Sequence, residues 1–295
     1  MSARPVVNAM SVDVEDYFHA SALARVAPPP VWDKLESRVA GNTRRLLDVF
    51  DQASVRGTFF VLGWVAERQP DLVREIAKRG HEIASHGFSH GIVYEQTPET
   101  FRSDVRRARR LLEDITGTAV TGYRAPSYSI TNKSLWALDV LIEEGYEYDS
   151  SIFPIRHDRY GIPGAPRHPY VVKRERGTLL EAPPSTVSYG SMNMPVAGGG
   201  YFRLLPYWWT RRGIAHINQS EARPAIFYLH PWEVDPDQPR LPAGMVSRFR
   251  HYRHLDKTEP RLKQLLRDFR FAPVRTILGS IPTEHLVGAL APRTT

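Results

Sequence analysis

The 295-residue chain is 42% hydrophobic, 24% charged and 11% aromatic, the balance of a globular protein rather than a disordered chain or a fibre. It has no cysteine, which excludes disulfides, thiolate metal sites and a cysteine nucleophile. The net charge of +7 is local, because residues 1–239 carry 28 basic and 28 acidic side chains whereas residues 240–295 carry 11 and 4.

In chain order, Met1–Pro5 lack the features of a secretory signal, and no apolar run has the length of a membrane helix, so a cytoplasmic location is expected. Val6–Val12 has the pattern of a buried strand ending at Asp13, residues 42–53 a helix, and Gly57–Leu62 a second strand. Pro70 and Asp71 open a helix closed by Gly80, and a brief strand at Glu82–Ala84 leads into the loop Ser85–His90. Thr97 caps a helix running from Pro98 to about Thr116, whose arginines at 102, 106, 107, 109 and 110 are expected to form a solvated face. A strand at Val120–Tyr123, a helix over Thr131–Glu144 and strands at Tyr146–Asp149 and Thr178–Glu181 follow. Loop-rich inserts cover about 151–175 and 186–209, Ala225–His230 is the clearest strand, and a last helix spans about 259–270. The basic end is either a solvated surface or a contact for an acidic polymer, a lipid-linked phosphate or an anionic membrane; it carries no nucleic-acid-binding motif.

Seven strands mostly joined by helices predict parallel βα units, and without a dinucleotide-binding glycine motif a barrel is favoured over an open doubly wound sheet. Polar residues collect where strands finish: Asp13, Glu15 and Asp16, then His86 and His90, Arg124, Asp149, Glu181 and His230. The carboxyl ends of parallel strands form one rim, so residues more than 200 positions apart are expected to face a shared pocket.

Spacing alone leaves His86 and His90 as an ordinary pair of loop histidines. Their place directly after a buried strand, with Gly87 between them, makes two imidazoles and a carboxylate a suitable shell for Zn²⁺ or a similar ion. Asp13, Glu15 and Asp16 crowd three negative charges together and call for neutralising cations, which a metal and Arg124 would supply. Arg124 is a structural ion-pair partner or the orienter of a catalytic carboxylate, and His230 is a satisfied core histidine or a catalytic one.

These residues resemble the motifs of the polysaccharide deacetylases with a NodB-homology domain, carbohydrate esterase family 4. Ser11–Phe18 resembles the first motif, Ser85–His90 the histidine motif, Arg124–Tyr128 the third and Leu229–His230 the last. Gly198–Arg203 and Arg250–Tyr252 look like signatures of the branch found beside exopolysaccharide and exosortase loci. The resemblance implies a single-domain, distorted (β/α)₇ barrel with loop-rich inserts over residues 1–239 and a basic, helical C-terminal extension over 240–295 packed on it. It further implies metal-dependent removal of N-acetyl groups from a polysaccharide or its lipid-linked precursor. His86 and His90 would be ligands to Zn²⁺ (or Co²⁺ or Ni²⁺), Asp13 the general base held by Arg124, and His230 the general acid.

One departure concerns the first motif, where Val14 stands in place of the usual second aspartate. Period-2 alternation favours Glu15 as the third ligand, with Asp16 the runner-up. Asp149 or Glu181 is expected to be the acidic partner of the catalytic histidine, and Tyr17, Tyr128 and Trp232 to contact sugar. Rival readings are an amidase or ureidase acting on a small molecule, and an inactive glycan-binding protein, which the Val14 departure supports. The expected partner is an N-acetylated glycan, with peripheral contact to a membrane or lipid-linked glycan open and nucleic acid not expected.

Overall fold

The computed structural model describes residues 5–286. β1 (Val7–Val14) leads to α1 (Val39–Gln52), β2 (Thr58–Val61), α2 (Gly63–Arg68), α3 (Pro70–Lys78) and β3 (Glu82–Ser85). Then come α4 (Pro98–Thr116), β4 (Gly122–Tyr123), α5 (Trp136–Glu143), β5 (Tyr148–Asp149), β6 (Tyr170–Arg174) and β7 (Gly177–Glu181). A hairpin of β8 (Thr186–Tyr189) and β9 (Met192–Pro195) precedes α6 (Gly199–Leu204), α7 (Tyr207–Gln219) and β10 (Ile226–Leu229). The chain continues through α8 (Met245–Tyr252), α9 (Leu255–Asp268), β11 (Arg270–Ala272) and α10 (Val274–Ser280).

Pattern and structure agree most closely where local signals are strongest. α4 has Thr97 as its N-cap, Pro98 in its first turn and Gly117 in the left-handed conformation at its end, with Phe101, Val105, Ala108 and Leu112 buried along one stripe. Its arginines do more than face solvent: Arg102 and Arg106 bind Glu144 of the α5 C-terminus, and Arg107 binds Glu67 of α2. α5 starts at Trp136 rather than Thr131, because the Ser134 hydroxyl accepts the Thr131 N–H and donates to the Ser129 carbonyl, closing a turn. The two inserts hold β6, the β8–β9 hairpin and α6, whose short lengths leave little periodicity to read.

The strands pair in the order β10-β1-β2-β3-β4-β5-β7-β6, parallel throughout except for β6, which runs antiparallel to β7 at the edge. β11 also lies parallel to β1, so the C-terminal extension contributes a strand to the sheet instead of only helices on its outside. Register sets Leu229 beside Val12, Val61 beside both Val14 and Ser85, and Tyr123 beside both Ser85 and Asp149. The residues that follow β1, β3, β4 and β10 therefore land on one rim. No ladder joins β7 to β10 among the described residues. Ser185 spans that side, accepting the Ile226 N–H at 2.7 Å and donating its own N–H to the Ile226 carbonyl at 3.2 Å. Beside it Gly198, at φ +117°, packs so closely on β10 that a Cβ would lie 1.8 Å from the Tyr228 carbonyl oxygen.

Candidate active site

The three crowded carboxylates at the end of β1 each find a different partner. Asp13 accepts a 2.6 Å hydrogen bond at Oδ1 from Arg124, which is fully buried. Arg124 also donates to the hydroxyls of Ser11 and Ser150, each at 2.8 Å, and to the Ser150 carbonyl at 3.1 Å. Burial works against the guanidinium charge, and Asp13 beside it more than restores it, so the Arg124 pKa lies above its ordinary value.

Asp16 turns away. It accepts the Ser37 hydroxyl at 2.7 Å and the backbone N–H groups of Tyr17, Arg38 and Val39, so it caps both its own 3₁₀ turn and the start of α1. Burial raises its pKa against those bonds.

Glu15 faces the histidines. Its carboxylate lies 2.6 Å from His90 Nε2 and 3.7 Å from His86 Nε2, and Trp232 Nε1 donates to its other oxygen at 3.2 Å. Ligand atoms of Glu15, His86 and His90 lie within 4.8 Å of one another, and Asp16 is not among them. Burial pushes the Glu15 carboxyl up, but the neighbouring imidazoles outweigh it and hold the group well below the usual range. His86 Nδ1 sits 2.8 Å from the Arg124 carbonyl, which can only accept, so Nδ1 carries a proton and Nε2 is the ring nitrogen presented toward Glu15. Two imidazoles and a buried carboxylate so arranged fit a divalent ion of the N/O-binding kind.

The loop that carries the histidines is held from both sides. The first N–H groups of α2, on Gly63 and Trp64, donate to the carbonyls of Gly87 and Phe88 at 2.8 and 2.9 Å. Asp104 of α4 accepts the N–H groups of Phe88 and Ser89 at 2.7 and 3.0 Å, together with the Ser89 hydroxyl. A Cβ at Gly87 would stand 2.8 Å from that carboxylate. Three non-glycine residues that line the cavity have positive φ: His90 at 55°, Ser127 at 55° and Tyr128 at 53°. Backbone strain of this kind gathers where a surrounding framework enforces a side-chain position.

Opposite the metal-type group stands His230, with Nε2 at 3.8 Å from Asp13 Oδ2 and 3.9 Å from Glu15 Oε1. Its acidic partner is Glu233, neither Asp149 nor Glu181. Glu233 Oε2 lies 3.3 Å from His230 Nδ1 and accepts the His230 backbone N–H at 3.1 Å. The other Glu233 oxygen is bound at 2.8 Å by buried Arg203, whose remaining donors reach the carbonyls of Arg250, His251 and Arg253. Burial drives the His230 pKa down and Glu233 drives it up further, to about 9. For Glu233, burial opposes ionisation and Arg203 and His230 overcome it, to about 2.

Asp149 and Glu181 instead face each other across β5 and β7, both buried, and each has one oxygen with no other partner. One proton shared between the two satisfies both. Burial raises both groups, Asp149 to about 6 and Glu181 well above its ordinary value. Asp149 also accepts the Ser151 hydroxyl, which in turn accepts the Ala125 N–H at 2.8 Å, so the pair supports the Arg124–Tyr128 turn from behind.

A cavity of about 380 Å³ opens over Asp13, Glu15, His86, His90 and His230, lined also by Trp232 and by a cluster of Tyr128, Tyr160, Tyr201 and Tyr228. Trp232 stacks on His230 at 5.1 Å and on His251 at 4.3 Å and is 5% exposed, so little of its ring is open to a sugar, while its N–H donates to Glu15. Tyr17 lies in an apolar cluster with Phe18, Leu23 and Trp32 and does not line the cavity. The Tyr128 N–H donates to the Ala125 carbonyl at 3.1 Å.

Glu233, Arg203 and Asp104 carry roles that spacing did not reveal. His-Pro-Trp-Glu at 230–233 has the form of a capping box with proline in the first turn, a signal that would have paired Glu233 with His230. Asp104 had none: it stands among the arginines of α4 like any surface acid.

Residues 31–148 match a family model described as polysaccharide deacetylase, and residues 150–279 match one described as a domain of unknown function, DUF3473. Asp13 and Glu15 precede the first match, while Arg203, His230 and Glu233 fall in the second. A peptidoglycan-N-acetylglucosamine deacetylase of Bacillus cereus is 33% identical over 98 residues, 33% of this chain and 36% of that one. A peptidoglycan deacetylase of Helicobacter pylori is 31% identical over 108 residues, 37% of this chain and 36% of that one. The matched segment thus spans about a third of these relatives' length. In fold, the chain resembles a Mycobacterium smegmatis crystal structure named provisionally as a polysaccharide deacetylase, with TM-score 0.63, 22% identity and coverage of 97% and 96% of the two chains. A Pseudomonas aeruginosa structure named a probable polysaccharide deacetylase gives TM-score 0.60, 15% identity and coverage of 96% and 92%.

Proposed function

On the premise that residues 31–148 form a polysaccharide deacetylase domain, we propose that this protein hydrolyses N-acetyl groups on a glycan with the help of one divalent metal ion. The observation that carries the reading is the convergence of Glu15, His86 and His90 beside two acid–base pairs, Asp13–Arg124 and His230–Glu233. The scaffold is proposed to be a distorted (β/α)₇ barrel, with Ser185 and Gly198 bridging the side between β7 and β10.

Glu15, His86 and His90 would hold the ion; their donor set suits Zn²⁺, with Co²⁺ or Ni²⁺ as alternatives. When bound, such an ion polarises an acetyl carbonyl and lowers the pKa of water. Arg124 fixes one oxygen of Asp13 and leaves Oδ2 toward the cavity, where it serves as the base that takes a proton from water. His230 presents Nε2 to the same space, and the Glu233 carboxylate on Nδ1 keeps the ring protonated and oriented. An amine leaves poorly unless it is protonated, and His230 supplies that proton, an assistance of typically ~10²–10⁴-fold. Trp232 positions Glu15, while Tyr128 and Tyr201 offer surfaces for the sugar.

The Bacillus cereus and Helicobacter pylori relatives, both named for peptidoglycan, support an N-acetylated glycan as the substrate class. The branch-like motifs Gly198–Arg203 and Arg250–Tyr252 favour an exopolysaccharide or its lipid-linked precursor. The test is metal content after reconstitution with zinc. We expect about one ion per chain, lost in His86→Ala and kept in Asp16→Ala, with acetate released from an N-acetylated oligosaccharide. A chain that takes up no zinc, cobalt or nickel overturns the reading. Loss of metal in Asp16→Ala at full folding would move the carboxylate role from Glu15 to Asp16.

A further inference from the structure

The helix α8 is built from one side of the cavity outward. Its Arg250 and His251 line the cavity, while Met245, Val246 and Phe249 are 87%, 66% and 54% exposed. Seven large apolar side chains are exposed among the described residues, and three of them stand on this one helix. Isolated exposed apolar residues are ordinary; a cluster on one short helix is not.

The charge around the cluster is one-sided. From Gln238 to Leu255 the sequence has no aspartate or glutamate and four arginines, Arg240, Arg248, Arg250 and Arg253. Arg253 lies over the Phe249 ring at 5.4 Å and Arg240 over Tyr252 at 4.4 Å, so the cations are interleaved with aromatic groups. None of Arg240, Arg248, Arg250 and Arg253 has a carboxylate within 4.0 Å among the described residues, whereas most arginines of α4 do.

We propose that α8 and its flanks dock on an anionic phospholipid bilayer, with Met245, Val246 and Phe249 entering the headgroup–acyl boundary and the arginines meeting lipid phosphates. A second copy of the chain seated face to face would set arginine against arginine, whereas a bilayer supplies the missing negative charge. The docked protein holds its cavity mouth beside the membrane, because the same helix supplies both surfaces. A consequence that rests on the deacetylase reading is that the natural substrate is a glycan carried on a membrane lipid.

The test uses the full chain and sedimentation with vesicles of equimolar phosphatidylglycerol and phosphatidylcholine, compared with phosphatidylcholine alone. Binding to the mixed vesicles is expected, weaker on the neutral ones and weaker with added salt. Met245→Glu together with Phe249→Glu should cut partitioning by ~tenfold or more, with metal content, Tm and acetate release from a soluble oligosaccharide unchanged. Absence of wild-type binding overturns the proposal, as does full binding by the double variant. Concentration-dependent self-association abolished by the same variant would overturn it in favour of a second copy. Vesicle binding without any acetate release would sink the deacetylase reading and leave the docking surface standing.

Discussion

His230 shows how far one neighbour can move a residue's chemistry. Burial alone would leave it neutral, but Glu233 at Nδ1, itself held ionised by Arg203, raises it to about 9. Since its folded pKa lies above the ordinary 6.5, its stabilisation is fully present below about pH 6.5 and is lost as pH rises through about 9. In metal-free protein, Glu233→Gln should therefore abolish the fall in Tm across that alkaline window. It should also return the His230 ring resonances to a titration at or below the ordinary histidine value, and lower turnover of the reconstituted enzyme by ~10–100-fold. A ring that still titrates near 9 in Glu233→Gln would mean that some other group keeps His230 protonated.

At the scale of elements, the histidine loop depends on two helices that it does not belong to. α2 holds the carbonyls of Gly87 and Phe88, and α4 holds the following N–H groups through Asp104. His90 sits at φ +55°, a conformation the loop would relax from if one of those holds were cut. Asp104→Ala is expected to weaken zinc binding by ~10–100-fold, as loss of a supporting partner typically does, while leaving Asp13 and His230 in place. Competition with a chromophoric chelator measures this, and an unchanged affinity would mean that the loop supports itself. Among these groups only the histidines and Gly87 were legible in the sequence. Asp104 reaches the loop because α4 packs against β3, and sequence spacing carries no trace of that contact.

Across the whole molecule, the buried Asp149–Glu181 pair links β5 and β7 to the turn that presents Arg124. Both carboxyls have raised folded pKa values, so the folded state retains protons that the unfolded chain has released. Stability contributed by the pair is present at low pH and falls as pH rises from the ordinary carboxylate range through about 6 and beyond. Glu181→Gln keeps a donor for Asp149 without needing that proton, and should raise Tm at mildly alkaline pH by about 2–4 °C. It should also flatten the pH dependence above about 6, the value to which burial raises Asp149. A Tm lowered equally at all pH values would mean that the pair is not proton-sharing. The same long-range view changes the C-terminal extension: residues 270–272 add a strand beside β1, so the basic end is part of the sheet rather than an appendage.

Short-range rules account for everything that was legible along the chain. The period-2 alternation of β1 set Asp13 and Glu15 on one side, the Thr97–Pro98 signal began α4, and apolar runs ended at polar residues that the parallel register then aligned on one rim. The partner of His230 was within those rules, in the capping box His230–Glu233, but what Asp149 and Glu181 meet was not. Both are buried acids at strand ends, and only tertiary pairing shows that they face each other and not His230. β7 pairs directly with β5 although β6 comes between them in sequence, which joins two acids to each other, and the turn after β10 folds Glu233 back under His230. Trp232 has the character of a sugar platform, yet it stacks on two imidazoles and is 5% exposed, which leaves little of its ring to a sugar. Local patterns fix which way a side chain points along its own element; what Asp13 and Glu15 meet there, Arg124 and Trp232, comes from segments 111 and 217 positions away.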